Sequence, residues 1–267
     1  MFRWQVPSAG PTQSVSESLA TIRARARHLV RNNPIAASAV EEWVSNLIGS
    51  SGITPRWNLD DMKLKSELQA LWSRWCEEAD ADGVYDFTGL QGLVARELIE
   101  AGEVFVRIRY RRATDGFSVP LQLQVLESDL VDELYSTVLP SGNVVRCGIE
   151  LDKIGRRVAY WMFQEHPGEV TPFSSVSIDK KRIPAEQIIH VYRPLRAGQL
   201  RGISWLAPVI ISLYELDQYE DAELVRKKTA AMFGGFIIEG GEPQLGVPLG
   251  ADDLGRDIVA LEPGTFV

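Results

Sequence analysis

The spacing of apolar residues changes twice along the chain. They recur every third or fourth position at first, then every second position, and then return to the longer spacing. The longer spacing predicts amphipathic helices over residues 14–32, 34–49, 60–79 and 88–101. The third of these has a heavy apolar face made of Leu64, Leu68, Leu71, Trp72 and Trp75.

Residues that favour helix ends support these boundaries. Ser14 and Glu17 have the spacing of a capping box, which predicts that the first helix begins near Ser14. Asn33 followed by Pro34 predicts a corner and a new helix, because Asn caps well and Pro fits the first turn. Thr88 is the predicted cap of the fourth helix. The expected helix ends are Gly49 and Gly102.

From residue 103 onward, apolar and polar residues alternate, as in strands that bury one face. The predicted strands cover residues 103–110, 121–125, 144–150, 157–163 and 188–192. TDG at 114–116 and PSGN at 140–143 mark turns between strands. The middle of the chain is therefore predicted to be a mostly antiparallel β unit.

Helical spacing returns near Ser204, a predicted cap with Pro208 in the first turn, and continues to about residue 233. Thirty helical residues would span roughly 45 Å. The predicted fold class is α+β: N-terminal helices, the antiparallel β unit and then this long helix. The expected organisation is a flexible tail at residues 1–13, an α+β region at 14–202, and a third region at 203–267 that begins with the long helix.

Composition and charge constrain the partners of the chain. With 45% hydrophobic and 24% charged residues, the chain has enough apolar material for a folded core. A net charge of -8 makes it a poor candidate for holding nucleic acid through phosphate neutralisation. Residues 1–56 carry six Arg and three Glu, a net charge of +3, so the remainder carries -11. Any DNA contact is therefore expected to be local or transient.

Two cysteines, Cys76 and Cys147, occur without a CxxC pair or a Cys/His cluster, so neither a disulfide framework nor a zinc site is indicated. A reducing cytoplasm is the compartment that fits this usage. No stretch approaches the roughly 18 apolar residues that span a bilayer, and the first residues lack the apolar core of a signal peptide. The chain is expected to be neither secreted nor membrane-embedded.

Motifs for catalysis are missing. The sequence has no GxxxxGK[ST], GxSxG or HExxH, and His28, His166 and His190 fall in different predicted elements. His190 is interpreted as a strand histidine held by a backbone hydrogen bond. We expect no catalytic residue, no metal and no cofactor, and the chain is predicted not to be an enzyme.

An acidic cluster, Asp80, Asp82 and Asp86, keeps one alternative open: a metal-dependent nucleic-acid-processing enzyme. Gly83 falls too early in the sequence for an EF-hand loop, however, and no bidentate Glu follows at the required distance. The cluster is therefore interpreted as a solvated acidic turn.

Two groups of arginines are candidates for contact with another subunit or with DNA. The first group recurs at i, i+4 on one face of the first helix, and either contacts an acidic partner or phosphate or is simply solvated. The second lies in a Gly-containing loop, RPLRAGQLRG at 193–202, which is predicted to be flexible. The first group is Arg23, Arg27 and Arg31, and the second is Arg193, Arg196 and Arg201.

Five segments resemble, in the same order, blocks of the lambda-type portal proteins of double-stranded-DNA bacteriophages. The first two are RARARHLVRNNP at 23–34 and LWSRWCEEADADG at 71–83. RELIEAGEVFVRIR at 96–109 and GIELDKIGRRVAYW at 148–161 come next, and IPAEQIIHVYRPLRAGQLRGISWLAP at 183–208 completes the series. Five blocks in order are a specific signal, because no general fold requirement produces them.

The resemblance implies a structural subunit of a ring, usually with twelve copies, at one capsid vertex. It implies a channel for DNA packaging and ejection, contacted transiently by double-stranded DNA. It also implies docking of terminase and head-completion proteins, and contacts with capsid and scaffold proteins. The expected location is the virion, and the host bacterial cytoplasm during assembly.

By the same resemblance, residues 14–202 are a wing-like region, and residues 203–267 begin a stem or channel region that family members continue. A non-portal head–tail adaptor is the alternative among structural proteins.

Overall fold

The computed structural model describes residues 8–169 and 179–232, together with the backbone of two paired strands, β9 (Pro248–Ala251) and β10 (Asp257–Val259). Contacts divide the chain into two units, Met1–Ile211 and Ser212–Val267, and each is described by itself. Within the described residues, no helix combines the length and the apolarity needed to cross a bilayer. The prediction of a flexible tail over residues 1–13 falls largely on residues outside the described part.

Five helices come first, where the periodicity predicted four. They are α1 (Gln13–Ser16), α2 (Leu19–Asn32), α3 (Pro34–Ile48), α4 (Met62–Glu78) and α5 (Phe87–Glu100). The single helix predicted over 14–32 is interrupted between Ser16 and Leu19. The capping box predicted at its start was wrong, because the Ser14 hydroxyl donates a hydrogen bond to the carbonyl oxygen of Pro11 instead.

The corner between α2 and α3 is confirmed. The Asn33 side chain accepts hydrogen bonds from the backbone N–H groups of Ile35 and Ala36, both at 3.0 Å, and Gly49 follows the last residue of α3 with a positive φ of 68°. The cap predicted for α5 was wrong by two residues. Asp86, not Thr88, accepts from the backbone N–H of Gly89 at 2.7 Å, because its carboxylate reaches the third residue of the helix.

The strands form two antiparallel sheets in the first unit. One has the order β2-β1-β8, built from β1 (Glu103–Tyr110), β2 (Leu121–Leu126) and β8 (Ile188–Tyr192). The other runs β3-β4-β5-β6-β7 in sequence order. Its strands are β3 (Thr137–Val138), β4 (Val144–Arg146), β5 (Ile149–Leu151), β6 (Arg157–Phe163) and β7 (Lys180–Pro184). The α+β prediction and the antiparallel pairing are confirmed.

The strand predicted over 144–150 is in fact two strands that pair with each other, β4 and β5. Cys147 (φ 50°) and Gly148 (φ 78°) make the tight turn between them. A β-carbon on Gly148 would lie 2.7 Å from the carbonyl oxygen of Asp132, so the turn requires glycine there. Strand β7 was not predicted, because KKRIP is mostly charged and buries only Ile183.

Two apolar clusters contribute to the core of the first unit. One includes residues of both sheets: Phe105, Val131, Ile149, Leu151, Tyr160, Met162, Ile183 and Ile188. The other lies between α4, α5 and β2, and its buried members are Trp75, Ala79 and Leu90. The predicted apolar face of α4 is thus buried only near its C-terminal end, since Leu64 is 43% exposed.

The long helix is α6 (Ile210–Met232), and its predicted start at Ser204 was wrong. The Ser204 hydroxyl accepts from the backbone N–H of Leu206 and donates to the carbonyl oxygen of Ile99, so it organises a turn that precedes the helix. With 23 residues, α6 is about 34 Å long, shorter than predicted.

Candidate functional site

Arg23 is an internal residue. Its side chain is almost completely buried and forms ion pairs with Asp129 at 3.0 Å and Glu133 at 3.2 Å. Both carboxylates lie more than one hundred residues further along the chain. A buried guanidinium with two internal partners presents no contact surface, so the expected surface position of Arg23 was wrong.

Arg27, one turn further on, is half-buried and extends the same network. Its guanidinium contacts Asp129 at 2.7 Å and Glu97 at 3.1 Å. Burial opposes the charge of Arg27, but the surrounding carboxylates outweigh it and raise the pKa of Arg27 above its ordinary value. Arg23 and Arg27 therefore attach α2 to the chain around Asp129, whereas Arg31, the third candidate on this face, is exposed.

Arg201 is the most buried of the candidate arginines, with 1% exposure. Its Nε donates to Glu103 at 2.7 Å. The remaining nitrogens donate to the backbone carbonyl oxygens of Val131, Cys147 and Ser128 at 3.0–3.2 Å. Arg201 is a structural partner inside the first unit, so the expectation that it is exposed for contact with DNA or another subunit was wrong.

Glu103 stands at the centre of this buried group and is completely buried. It accepts hydrogen bonds from Arg201, from the backbone N–H of Gly202 at 2.8 Å and from Nε2 of His190 at 3.0 Å. Burial alone would raise the pKa of Glu103, but Arg201 and His190 outweigh it and lower the pKa to about 2. Glu103 therefore remains ionised in the folded chain.

His190 is held by a side chain and not, as expected, by the backbone. Its ring lies between those of Phe105 and Tyr192, with ring centroids 4.2 and 4.4 Å apart. Burial lowers the pKa of His190 in spite of the neighbouring Glu103 carboxylate. Because both side chains are shielded from solvent, the pair supports the β1–β8 contact and has no access to a substrate.

The loop 193–202 is held by hydrogen bonds within itself. Gln199 is buried, accepts from the backbone N–H groups of Leu195 and Arg196, and donates to the carbonyl oxygen of Arg201 at 2.8 Å. Arg193 and Arg196 are exposed, although the Arg193 guanidinium lies 5.8 Å from the centroid of the Trp205 ring and Arg196 donates to the carbonyl oxygen of Ala9 at 3.2 Å. The loop therefore carries two exposed arginines on a backbone that the Gln199 side chain holds by hydrogen bonds.

The acidic turn is organised by its own backbone. Asp80 is buried, and its carboxylate accepts from the backbone N–H groups of Asp82, Val84 and Tyr85 at 2.8–3.0 Å. Burial would raise the pKa of Asp80, but these hydrogen bonds outweigh it and lower the pKa. The interpretation as a solvated turn holds for Asp82 and Asp86, which are exposed, but was wrong for Asp80.

A group that could hold a metal occurs once within residues 8–169 and 179–232: Glu127, Asp129 and His166, whose ligand atoms lie within 4.8 Å of one another. Asp129 already binds Arg23 and Arg27. A cation placed there would face two guanidinium groups, so the group is better described as an ion-pair network.

A row of arginines along β1 and just beyond its end was missed by the sequence analysis. Arg107, Arg109 and Arg111 occupy alternate positions, and the neighbouring strand places Gln122 and Gln124 beside them. Arg109 donates to the side-chain oxygen of Gln124 from two nitrogens at 2.9 and 2.5 Å, and Arg111 donates to that of Gln122 at 2.7 Å. The alternation in VRIRYRR could have revealed this arginine row.

An apolar surface lies along α3. Ile35, Trp43 and Leu47 are 47–56% exposed and recur at helical spacing. Beside them is a cavity of about 430 Å³, lined in part by Trp43, Leu195 and Trp205. We call Ile35, Trp43 and Leu47 the α3 ridge.

Comparisons with known proteins agree with one another. The whole sequence, residues 1–267, matches the family model described as phage portal protein, lambda family. The probable portal protein of Halomonas phage phiHAP-1 is 32% identical over 233 residues, which cover 83% of this chain and 44% of that protein. Portal protein B of Escherichia phage lambda is 22% identical over 254 residues, covering 88% of this chain and 46% of that protein. The chain therefore spans less than half the length of these curated relatives.

Proposed function

Because the chain belongs to the lambda family of phage portal proteins, we propose that it is part of a structural ring subunit at a capsid vertex, through which DNA is packaged and ejected. The observation that carries the proposal is the family match over all 267 residues. Transient contact with double-stranded DNA belongs to the same proposal. So does docking of terminase, head-completion, capsid and scaffold proteins.

The α3 ridge supports contact between copies. A closed ring requires two different surfaces on each subunit that fit one another. Exposed large apolar side chains such as Trp43 are typical of the centres of protein interfaces. A neighbouring subunit that covered the ridge would remove this apolar surface from water.

The net charge supports a channel role. A conduit must let DNA pass, and a net charge of -8 over this part of each copy repels phosphates at long range. Exposed arginines such as Arg31, Arg193 and Arg196 can still make local, brief contacts. These three keep the proposed role of subunit or DNA contact.

No observation favours the enzyme alternative. It depended on the acidic cluster at 80–86, where Asp80 and Asp86 bind backbone N–H groups. We therefore propose a structural, non-enzymatic role.

Native mass spectrometry of the full-length protein tests the ring. We expect a closed assembly of about twelve copies. Monomers or dimers at micromolar concentration would contradict the portal role, and a differently sized assembly without a channel would favour the adaptor alternative.

A matched pair of variants tests the α3 ridge. Trp43→Asp should reduce the fraction of protein in rings, because it places a charge on the ridge. Ile154→Asp is the control, since Ile154 is 86% exposed and lies in a turn away from the ridge. Ile154→Asp should keep the melting temperature of the subunit, and Trp43→Asp should lower it only slightly, because the exposed Trp43 ring contacts that of Trp205. If the two variants formed rings to the same extent, the α3 ridge would not be part of the interface between copies.

A further inference from the structure

The arginine row is aligned by the backbone. Side chains at alternate positions of a strand share one face and are about 6.8 Å apart. Arg107 and Arg109 lie in β1, and Arg111 continues the pairing because its backbone N–H donates to the carbonyl oxygen of Pro120 at 2.9 Å. The three arginine side chains therefore leave the backbone on one face, in one line.

Hydrogen bonds orient the arginine row, but no carboxylate of the described residues neutralises its charge. Gln122 and Gln124 are uncharged, so their hydrogen bonds fix Arg109 and Arg111 without forming an ion pair. The Asp82 carboxylate is one step removed, since it accepts from the side-chain amide of Gln124 at 2.9 Å. Within the described part of the chain, none of the three arginines forms an ion pair with a carboxylate. Burial and the neighbouring Arg109 lower the pKa of Arg107, as expected where like charges are crowded.

This arrangement differs from that of the other central arginines. Arg23, Arg27 and Arg201 all contact carboxylates of the same chain. A row of cations that forms no ion pair among the described residues is costly in an isolated subunit, and an external anion would relieve the repulsion. The row is half-exposed, so such an anion can reach it.

The polarity of the row favours phosphate. Protein interfaces usually have an apolar centre, whereas the row and its cross-strand neighbours are arginine and glutamine. Arginine and glutamine side chains are typical donors to the phosphate oxygens of DNA. Evenly spaced cations on a polar strip fit a repeating polyanion better than they fit a single protein side chain.

We propose that the arginine row binds phosphate groups of duplex DNA, with one phosphate for each guanidinium group and without sequence preference. The proposal rests on the proposed function, which brings DNA to the protein. Contact with three phosphates in a chain of net charge -8 is weak and sensitive to salt. Because such binding is weak, DNA can move past the arginine row while the row still contacts its phosphates.

The test measures the anisotropy of a labelled random-sequence DNA duplex with the full-length protein over a series of salt concentrations. Each phosphate contact contributes about -0.9 to the slope of log K against log salt. The triple variant Arg107→Gln, Arg109→Gln, Arg111→Gln should therefore have a slope less steep by about 2.7. The single variant Arg109→Gln should make the slope less steep by about 0.9. It replaces the triple variant in the test if the triple variant does not fold.

The control is a second triple variant with the same loss of charge at exposed arginines: Arg25→Gln, Arg56→Gln, Arg156→Gln. Its slope should remain close to that of the unmodified protein. Equal slopes for the two triple variants would overturn the proposal. Row-dependent binding of polyglutamate in place of DNA would also overturn it, and would assign the row to an acidic protein segment.

Native mass spectrometry of the same samples separates the two proposals. Rings whose DNA affinity does not depend on the arginine row would contradict only the DNA-contact proposal. An unmodified protein that forms no ring would contradict the proposed function, whatever its affinity for DNA.

Discussion

Replacing Arg201 with methionine should lower the free energy of unfolding by about 3–5 kcal/mol. The variant leaves the buried Glu103 carboxylate without its guanidinium partner, and it removes three donors to backbone carbonyl groups. The midpoint of urea unfolding, together with an unchanged slope of the transition, measures the loss.

Arg196→Met is the matched control, because Arg196 is in the same loop but exposed. It should change stability by about 0.5 kcal/mol or less. The double variant Glu103→Met, Arg201→Met should recover part of the loss, since it removes both buried charges together. Equal effects of Arg196→Met and Arg201→Met would contradict the structural role of Arg201.

The Glu103–Arg201 pair also makes stability depend on pH. The pKa of Glu103 is about 2 in the folded chain, below its ordinary value of 4.5. A carboxyl whose pKa is lowered by folding stabilises the folded state fully above its unfolded pKa and loses that effect as pH falls towards the folded value. The unfolding midpoint should therefore drop between about pH 4.5 and pH 2, and Glu103→Gln should weaken this part of the pH dependence.

Trp75→Ala should cost about 3–5 kcal/mol, the other large effect. Trp75 is 7% exposed, its ring centroid lies 5.1 Å from those of Trp72 and Phe87, and its indole N–H donates to the carbonyl oxygen of Leu121. Truncation leaves both a cavity and an unsatisfied carbonyl. Thermal and urea unfolding of the variant measure the loss.

Two other tryptophans provide graded controls for this prediction. Trp72 is half-buried, so Trp72→Ala should cost less than Trp75→Ala. Trp43 is 56% exposed, so Trp43→Ala should cost the least in an isolated subunit. If the three substitutions were equally destabilising, the assignment of Trp75 to the core would be wrong.

Local features of the fold could be predicted from the sequence, because the signal and the structure lie within a few residues. The corner at Asn33 and Pro34 needs only a capping side chain and a residue that fits the first turn. Alternation over 103–110 and 157–163 likewise predicted strands β1 and β6, although the first four residues of β1 are buried on both faces. The ordered family blocks identified the class of protein.

The charged core could not be predicted, because its partners are far apart in sequence. The i, i+4 spacing of Arg23 and Arg27 shows that they share a face, but nothing local indicates that Asp129 covers it. Arg201 was assigned to a flexible loop because two glycines flank it in sequence. Gly202 is there for close packing: a β-carbon would lie 2.1 Å from the carbonyl oxygen of Gly102.

Electron microscopy of the full-length protein tests the portal assignment most directly, since it shows both the assembly and its centre. We expect closed rings with a central channel wide enough for duplex DNA. A field of monomers and dimers, or rings with a closed centre, would contradict the portal function.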